Sequence, residues 1–123
     1  MNVLLDTHSL IWFLSASSRL SDKAREVVFS ADIVFLPTIV LLEAFHVSKK
    51  LNFEKEFRKF LSDLPSAKFR TLSLDINIVN DYINLEDGLE IHDRVIVSSA
   101  KLLNLHVVTK DAKISDIYEK VIW

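Results

Sequence analysis

The chain alternates compact apolar runs with longer segments in which apolar residues recur at helical spacing. That alternation predicts a parallel sheet covered by helices. Residues 2–5, 33–36 and 105–108 are runs of the kind found in strands buried on both faces, the second stopped by Pro37. Residues 121–123 offer a last edge strand and residues 69–74 a weaker candidate, which makes four to five short strands. Between them, Ser21 reads as the N-cap of a helix over 22–31, with Asp22 in its first turn. Thr38 reads as the cap of the segment IVLLEAFHVSKK, which closes on Lys49 and Lys50 as a helix C-terminus favours. Phe57, Phe60, Leu61 and Leu64 follow helical spacing, as do Ile78, Val79, Tyr82 and Ile83. Asp93 opens a further helix whose inner face reads Ile96, Val97, Ala100 and Leu103. The fold class expected is three-layer α/β/α around a central parallel sheet.

Length and composition narrow this further. The 123 residues suit one domain, 1–123, and half of them are apolar, so a core forms without covalent staples. No cysteine occurs, which excludes disulfides, zinc–thiolate sites and thiol nucleophiles. The single glycine, Gly88, excludes phosphate-cradling and dinucleotide-binding loops, which need several. The opening MNVLLDTHSLIWFL lacks a basic start and is interrupted by Asp6 and His8, so it does not read as a signal peptide. No apolar stretch approaches the roughly 20 residues that span a bilayer. A cytoplasmic protein with no membrane association is expected. The net charge of −2 supplies no general attraction for a polyanion. A nucleic-acid contact would need a local basic rim or a bound cation.

Four carboxylates stand apart from the acidic residues of the polar helix faces. Asp6 directly follows the first strand, and Asp111 follows the strand LHVVT after one lysine. In open parallel sheets, ligands bind beyond the carboxyl ends of strands, although an aspartate there also serves as a helix cap. Glu43 is the only charge between Asp32 and Lys49, and its helical neighbours Ile39, Val40 and Val47 offer no counter-charge. Buried carboxylates are normally paired or bound to metal, so a metal ligand and a distant ion pair are the alternatives. Asp93 follows the segment EDGLEI, read as a loop returning to the same edge, and helix capping is again the plain account. Four carboxylates in one crevice would repel one another unless protonated or bridged by a cation. An all-oxygen set favours Mg²⁺ or Mn²⁺, which suit phosphodiester hydrolysis.

The remaining candidates are weaker. His8, His46, His92 and His106 show no metal-ligand spacing, though His8 and His92 lie near the proposed site. Ser98 and Ser99 have no base in an identifiable relation to them. Arg94, Lys110 and Lys113 are the basic residues nearest the carboxylates and are the candidates for phosphate contact. For Arg94, an ion pair with Glu90 is the alternative.

The opening NVLLDTHSLIWFL, the Glu43 helix, the stretch DRVIVSSAKLLNLHVVTKD and the final VIW together resemble PIN-domain proteins, more narrowly the VapC-type toxins of bacterial toxin–antitoxin pairs. The likeness spans essentially the whole chain. It implies a parallel sheet flanked by helices, Mg²⁺- or Mn²⁺-dependent endoribonuclease activity, frequent homodimers and a cognate antitoxin seated in the active groove. The family's acidic positions fall on Asp6, Glu43, Asp93 and Asp111 as catalytic and metal-binding residues. A hydroxyl before the last of them falls on Thr109, taken as a substrate contact. Ala112 and Lys113 stand where many relatives carry a further acidic residue, and LEIH stands where a proline-containing turn is common. The segments LIWFL and LNFEKEFRKFLSDL carry more large apolar groups than two short helices bury. Core packing is the plain use of that surplus, and a groove for an antitoxin helix is the other.

Other functions fit less well. A haloacid-dehalogenase-type phosphotransferase needs a second aspartate where His8 stands, and a receiver module needs adjacent acidic residues beside the first strand. A PIN scaffold that binds protein or RNA without cutting is the rival of a different class.

Overall fold

The computed structural model describes residues 1–85 and 88–123. Twelve elements follow in order: β1 (Val3–Leu5), α1 (Thr7–Leu14), α2 (Asp22–Ser30), β2 (Val34–Pro37), α3 (Thr38–Lys50), α4 (Glu54–Ser62), β3 (Phe69–Leu72), α5 (Ile76–Tyr82), α6 (Ile91–Leu103), β4 (His106–Val108), α7 (Ala112–Ser115) and β5 (Val121–Ile122). All five strands pair in parallel, in the order β3-β2-β1-β4-β5. The expected sheet is therefore present, with the weak fifth candidate shortened to Phe69–Leu72.

Strand β1 holds the centre. Val3, Leu4 and Leu5 are wholly buried, because a strand with a neighbour on each side and helices on both faces meets no water. Val3 and Leu4 align with Val34 and Phe35 of β2, while Val3, Leu4 and Leu5 align with His106, Val107 and Val108 of β4. The chain leaves β1 towards β2 and β3, then crosses back to β4 and β5. Right-handed crossovers put the helices of these two excursions on opposite faces of the sheet. The reversal leaves a crevice between the carboxyl ends of β1 and β4.

Several element ends depart from the sequence reading. Thr38 does not cap α3: Pro37 is both the last residue of β2 and the residue before the helix, and makes no side-chain cap bond. The strand runs into the helix without a loop, so Thr38 is already helical. Likewise α6 begins at Ile91 after Glu90, which places Asp93 inside the first turn and not at the cap. The loop expected over 86–91 therefore ends at Glu90, and its Glu86 and Asp87 lie outside the described residues. The inner face of α6 runs from Val95 to Ala100, whereas Leu103 is 48% exposed beside Leu102. On α5 only Ile78 is buried, while Val79 and Ile83 face solvent.

Core packing absorbs the aromatic-rich segments. Leu10, Ile11 and Phe57 are fully buried. Trp12, Phe13, Leu14, Phe53, Phe60, Leu61 and Leu64 pack partly buried against the same core. Exposed apolar side chains stand at Phe29, Leu42 and Leu51 and, more densely, at Leu74, Ile76, Val79, Ile83 and Ile91 around α5 and the start of α6. Of the large apolar residues in LIWFL and LNFEKEFRKFLSDL, Leu51 alone is exposed, and the others pack wholly or partly against the core. Among the described residues no helix is long and apolar enough to cross a membrane.

At the far edge, Asn104 takes a left-handed conformation (φ 53°) at the C-terminus of α6 and turns the chain into β4. The buried Tyr118 hydroxyl donates to Leu105 O at 2.6 Å, with Ala100 O at 3.3 Å, fastening the segment before β5 onto that turn. Removing the hydroxyl leaves a buried carbonyl short of a donor, at about 1–2 kcal/mol. Tyr118→Phe should therefore lower the melting temperature by about 4 °C. An unchanged melting curve would show that the hydroxyl carries no weight there.

Candidate active site

Four elements deliver carboxylates to the crevice at the reversal point. Asp6 ends β1 and caps α1, its Oδ1 accepting from Ser9 N at 2.9 Å. Asp111 caps α7, its Oδ1 accepting from Lys113 N at 2.9 Å. Asp93 lies in the first turn of α6, and Glu43 lies in the second turn of α3. Helices α1, α3 and α7 start where β1, β2 and β4 end, and α6, reached from α5, brings its first turn to the same edge of the sheet. All four carboxylates line a single cavity of about 570 Å³ together with Thr7, His8, Trp12, His92, Lys110 and Lys113.

Each carboxylate is held by specific neighbours. The Thr109 hydroxyl donates to Asp6 Oδ2 and accepts from Asp111 N at 3.0 Å, tying the ends of β1 and β4 together. The Thr7 hydroxyl donates to Glu43 Oε1, and His92 Nε2 lies 3.0 Å from Glu43 Oε2. His92 Nε2 also stands 3.8 Å from both Asp93 Oδ1 and Glu90 Oε2. Glu43 thus has no Lys or Arg partner among the described residues; its neighbours are a hydroxyl and an imidazole.

The electrostatics record this crowding. Burial pushes the Asp6 carboxyl above its ordinary range, against the opposing hydrogen bonds from Thr109 and Ser9. Asp93 is pushed up to about 6, first by burial and then, against the favourable His92, by the charges of Asp111, Asp6 and Glu43. That three other carboxylates register at Asp93 shows that the four share one field.

Two candidates take other roles. Thr109 is 1% exposed and its hydroxyl is engaged by Asp6 and Asp111, so it positions the carboxylates instead of meeting a substrate. Arg94 does not line the cavity. Its Nη2 donates to Tyr82 O at 2.7 Å and Leu85 O at 3.2 Å, and the guanidinium lies 4.6 Å from the centre of the Tyr82 ring. A helix turns about 100° per residue, so the side chain after Asp93 points away from it. Lys110 and Lys113 do reach the cavity and are exposed.

Sequence reasoning passed over Thr7 and undervalued His92. The adjacency of Thr7 to Asp6 is the signal that could have found it, since the first residue of a helix after a catalytic-edge aspartate shares its surroundings. His92 precedes Asp93, but its partner Glu43 is 49 positions away and only the fold joins them.

The donor chemistry fits a hard divalent cation: every candidate ligand atom is a carboxylate oxygen. The buried Ser9 hydroxyl, which also lines the cavity, has no hydrogen-bond partner among the described residues. No three Asp, Glu or His side chains among the described residues stand drawn together as a ready ligand cluster. Thr109, Thr7 and His92 hold some of the oxygens instead.

Fold and site together define a doubly wound α/β protein with an all-oxygen acidic centre at its reversal point. The model of the PIN domain matches residues 3–120, and the chain belongs to that family, whose members are generally nucleases. A search of curated proteins found no match. Among solved structures, a toxin–antitoxin complex from Klebsiella pneumoniae is similar at 23% identity and TM-score 0.76, covering 98% of this chain and 96% of that one. VapBC2 from Rickettsia felis, bound to a DNA fragment from its promoter, gives 16% and 0.72 over 100% and 98%. VapC20 from Mycobacterium tuberculosis, a sarcin–ricin-loop-cleaving toxin, gives 12% and 0.76 over 93% of each chain. At such identities the likeness is one of fold.

Asp93 carries a pH test with a definite sign. Its carboxyl is raised in the folded chain, so ionising it opposes folding; the penalty is absent below about pH 4, grows between about 4 and 6 and is complete above. Asp93→Asn removes that penalty. The stability advantage of the metal-free variant should be about 1 kcal/mol near pH 7.5, allowing for partial solvent screening, and should shrink to about a third of that near pH 4.5. Equal offsets at both pH values, by thermal denaturation, would show that Asp93 does not feel its neighbours.

Proposed function

We propose that the chain is a Mg²⁺- or Mn²⁺-dependent endoribonuclease and the toxin of a toxin–antitoxin pair. The observation that carries this reading is the convergence of Asp6, Glu43, Asp93 and Asp111 on one open cavity, with Asp93 pushed up to about 6 by burial and by the other three. Such a set is electrostatically unfavourable alone and becomes favourable around a dication. Asp6, Asp93, Asp111 and Glu43 would hold the ion. When bound, it supplies polarisation of the phosphate, a more acidic attacking water and neutralisation of the leaving oxygen.

The chain's own groups do the rest. Thr109 fixes the Asp6 carboxylate and the backbone at Asp111, so the ends of β1 and β4 present their oxygens at a set spacing. Thr7 and His92 orient Glu43 from either side. Lys110 and Lys113 stand at the rim, where ammonium groups attract phosphate oxygens and draw the backbone towards the carboxylates. The net charge of −2 makes this local rim, together with the cation, the route by which RNA approaches. The similarity to a toxin–antitoxin complex from Klebsiella pneumoniae and to VapBC2 from Rickettsia felis supports an antitoxin partner, which would cover the same cavity. A homodimer acting in the cytoplasm is the accompanying assembly.

Purified chain should cleave single-stranded RNA with Mg²⁺ or Mn²⁺ and stop when the ion is chelated. Asp6→Asn or Asp93→Asn should each reduce cleavage at least 100-fold, on the scale of losing an electrostatic stabiliser of the transition state. Expression alone should arrest growth, and co-expression with the neighbouring gene should relieve it. Cleavage undiminished by excess chelator would sink the metal mechanism. A neighbour that neither binds the chain nor silences it would remove the toxin assignment while leaving the nuclease.

A further inference from the structure

The acidic cavity has one feature that neither metal binding nor phosphate attraction uses. Trp12 contributes to its wall, beside the exposed His8. These residues are four apart on α1, hence neighbours on one helix face, with ring centres 5.5 Å apart. Behind them Trp123, at the carboxyl end of β5, meets Trp12 edge-on at 5.9 Å and 61°. Trp12 is therefore held on one side by Trp123 and the core, while part of its surface faces the cavity. Among the other lining residues the one large apolar side chain is Ile96, which is 1% exposed. Core packing accounts for the Trp123 side of the indole and leaves the cavity side without a use.

The rings are also tied to the chemistry. Asp6 caps the very helix that carries His8 and Trp12, so the platform and the carboxylate move as one rigid piece. Lys110 and Lys113 lie on the same cavity. Aromatic faces beside basic groups are the parts from which single-stranded nucleic-acid sites are made, because any base can stack and any phosphate can pair.

We propose that Trp12, with His8, is a stacking platform for an unpaired nucleobase adjacent to the phosphodiester presented to the carboxylates. This rests on the nuclease reading above and adds the positioning of the base: stacking sets which phosphate reaches the acidic centre and favours unpaired over duplex substrate. Duplex bases keep their faces covered and cannot use the platform.

The chain has two tryptophans, so Trp123→Phe leaves Trp12 as the only indole reporter. In an Asp93→Asn background, which lowers the negative charge of the cavity, this variant is titrated with an end-labelled single-stranded RNA hexamer in Mg²⁺. Binding is read by anisotropy and stacking by Trp12 fluorescence. Saturable quenching that tracks the anisotropy is expected, with roughly tenfold weaker binding for Trp12→Leu and near-normal binding for Trp12→Phe. A hexamer with one base removed should lose as much on the wild-type platform when the gap falls at the stacked position. It should lose nothing more on Trp12→Leu, since the two changes delete the same contact. Trp12 emission unmoved at saturating RNA, or abasic losses equal in both chains, would overturn the platform while leaving the nuclease reading intact. No anisotropy change with any single-stranded RNA would overturn both. Equal quenching by a single-stranded DNA hexamer of the same sequence would support the platform, since any unpaired base can stack. Circular dichroism of Trp12→Leu separates lost stacking from lost folding, and His8→Ala, an exposed substitution, gives a second and smaller loss.

Discussion

The structure turns on the gathering of Asp6, Glu43, Asp93 and Asp111 in one cavity, where burial raises Asp6 and Asp93 and the other three charges add to the effect at Asp93. Unit charges of one sign repel when they share a partly dry cavity, and each loses hydration there. A fold that gathers four of them needs an opposing arrangement, and the parallel sheet supplies it. Asp6 and Asp111 sit at helix N-caps, and Asp93 lies in a first helical turn. There the exposed amide groups and the helix dipole favour negative charge. Capping and metal binding are therefore not competing explanations for these aspartates. Asp6 Oδ1 caps its helix while Oδ2 is held by Thr109.

The position of this charge cluster follows from topology. Connections that run one way from β1 to β3 and return to β4 leave the ends of β1 and β4 uncovered by a crossing chain. Only at that reversal can two neighbouring strands each present a following aspartate to the same space. Thr109 closes the join: it belongs to the β4 end, donates to the β1 aspartate and steadies the amide of the next one. The strands are two to four residues long, so small errors in register would displace these groups. The full burial of Val3, Leu4 and Leu5 prevents such slippage, since a shift would carry Asp6 into the core.

What was legible in the sequence was whatever follows from local pattern. The buried strands declare themselves as apolar runs, and carboxylates at their ends declare a candidate edge. Glu43 stands out because an isolated charge in an apolar helix needs a reason. The stability test of Asp93 depends instead on long-range proximity, and that is where local pattern gave out. The His92–Glu43 contact joins α6 to α3, and the Thr109–Asp6 bond spans 103 positions. The phenylalanine-rich segment packs as its plain reading expects, but which of its side chains reach the core was not legible for a similar reason. Composition counts large apolar groups but not the core they enter, and Phe57 proves fully buried while Ile76 and Ile91 are left outside.

Helix α6 shows how neighbours in sequence can serve different ends. His92, Asp93 and Ile96 face the acidic cavity, whereas Ile91 and Val95 line an apolar cleft with Leu74, Val79, Tyr82 and Ile83. Arg94 lies between these faces and grips the carbonyls of Tyr82 and Leu85 where α5 ends. Carbonyls at a helix C-terminus lack internal partners, and a guanidinium that supplies donors there also complements the dipole. The cation beside Asp93 thus serves the carboxylate indirectly. It locks α5 against α6, and α6 fixes where Asp93 and His92 meet Glu43. Neutralising Arg94 would loosen that alignment without removing any group from the cavity, which separates its contribution from that of Lys110 and Lys113 at the rim.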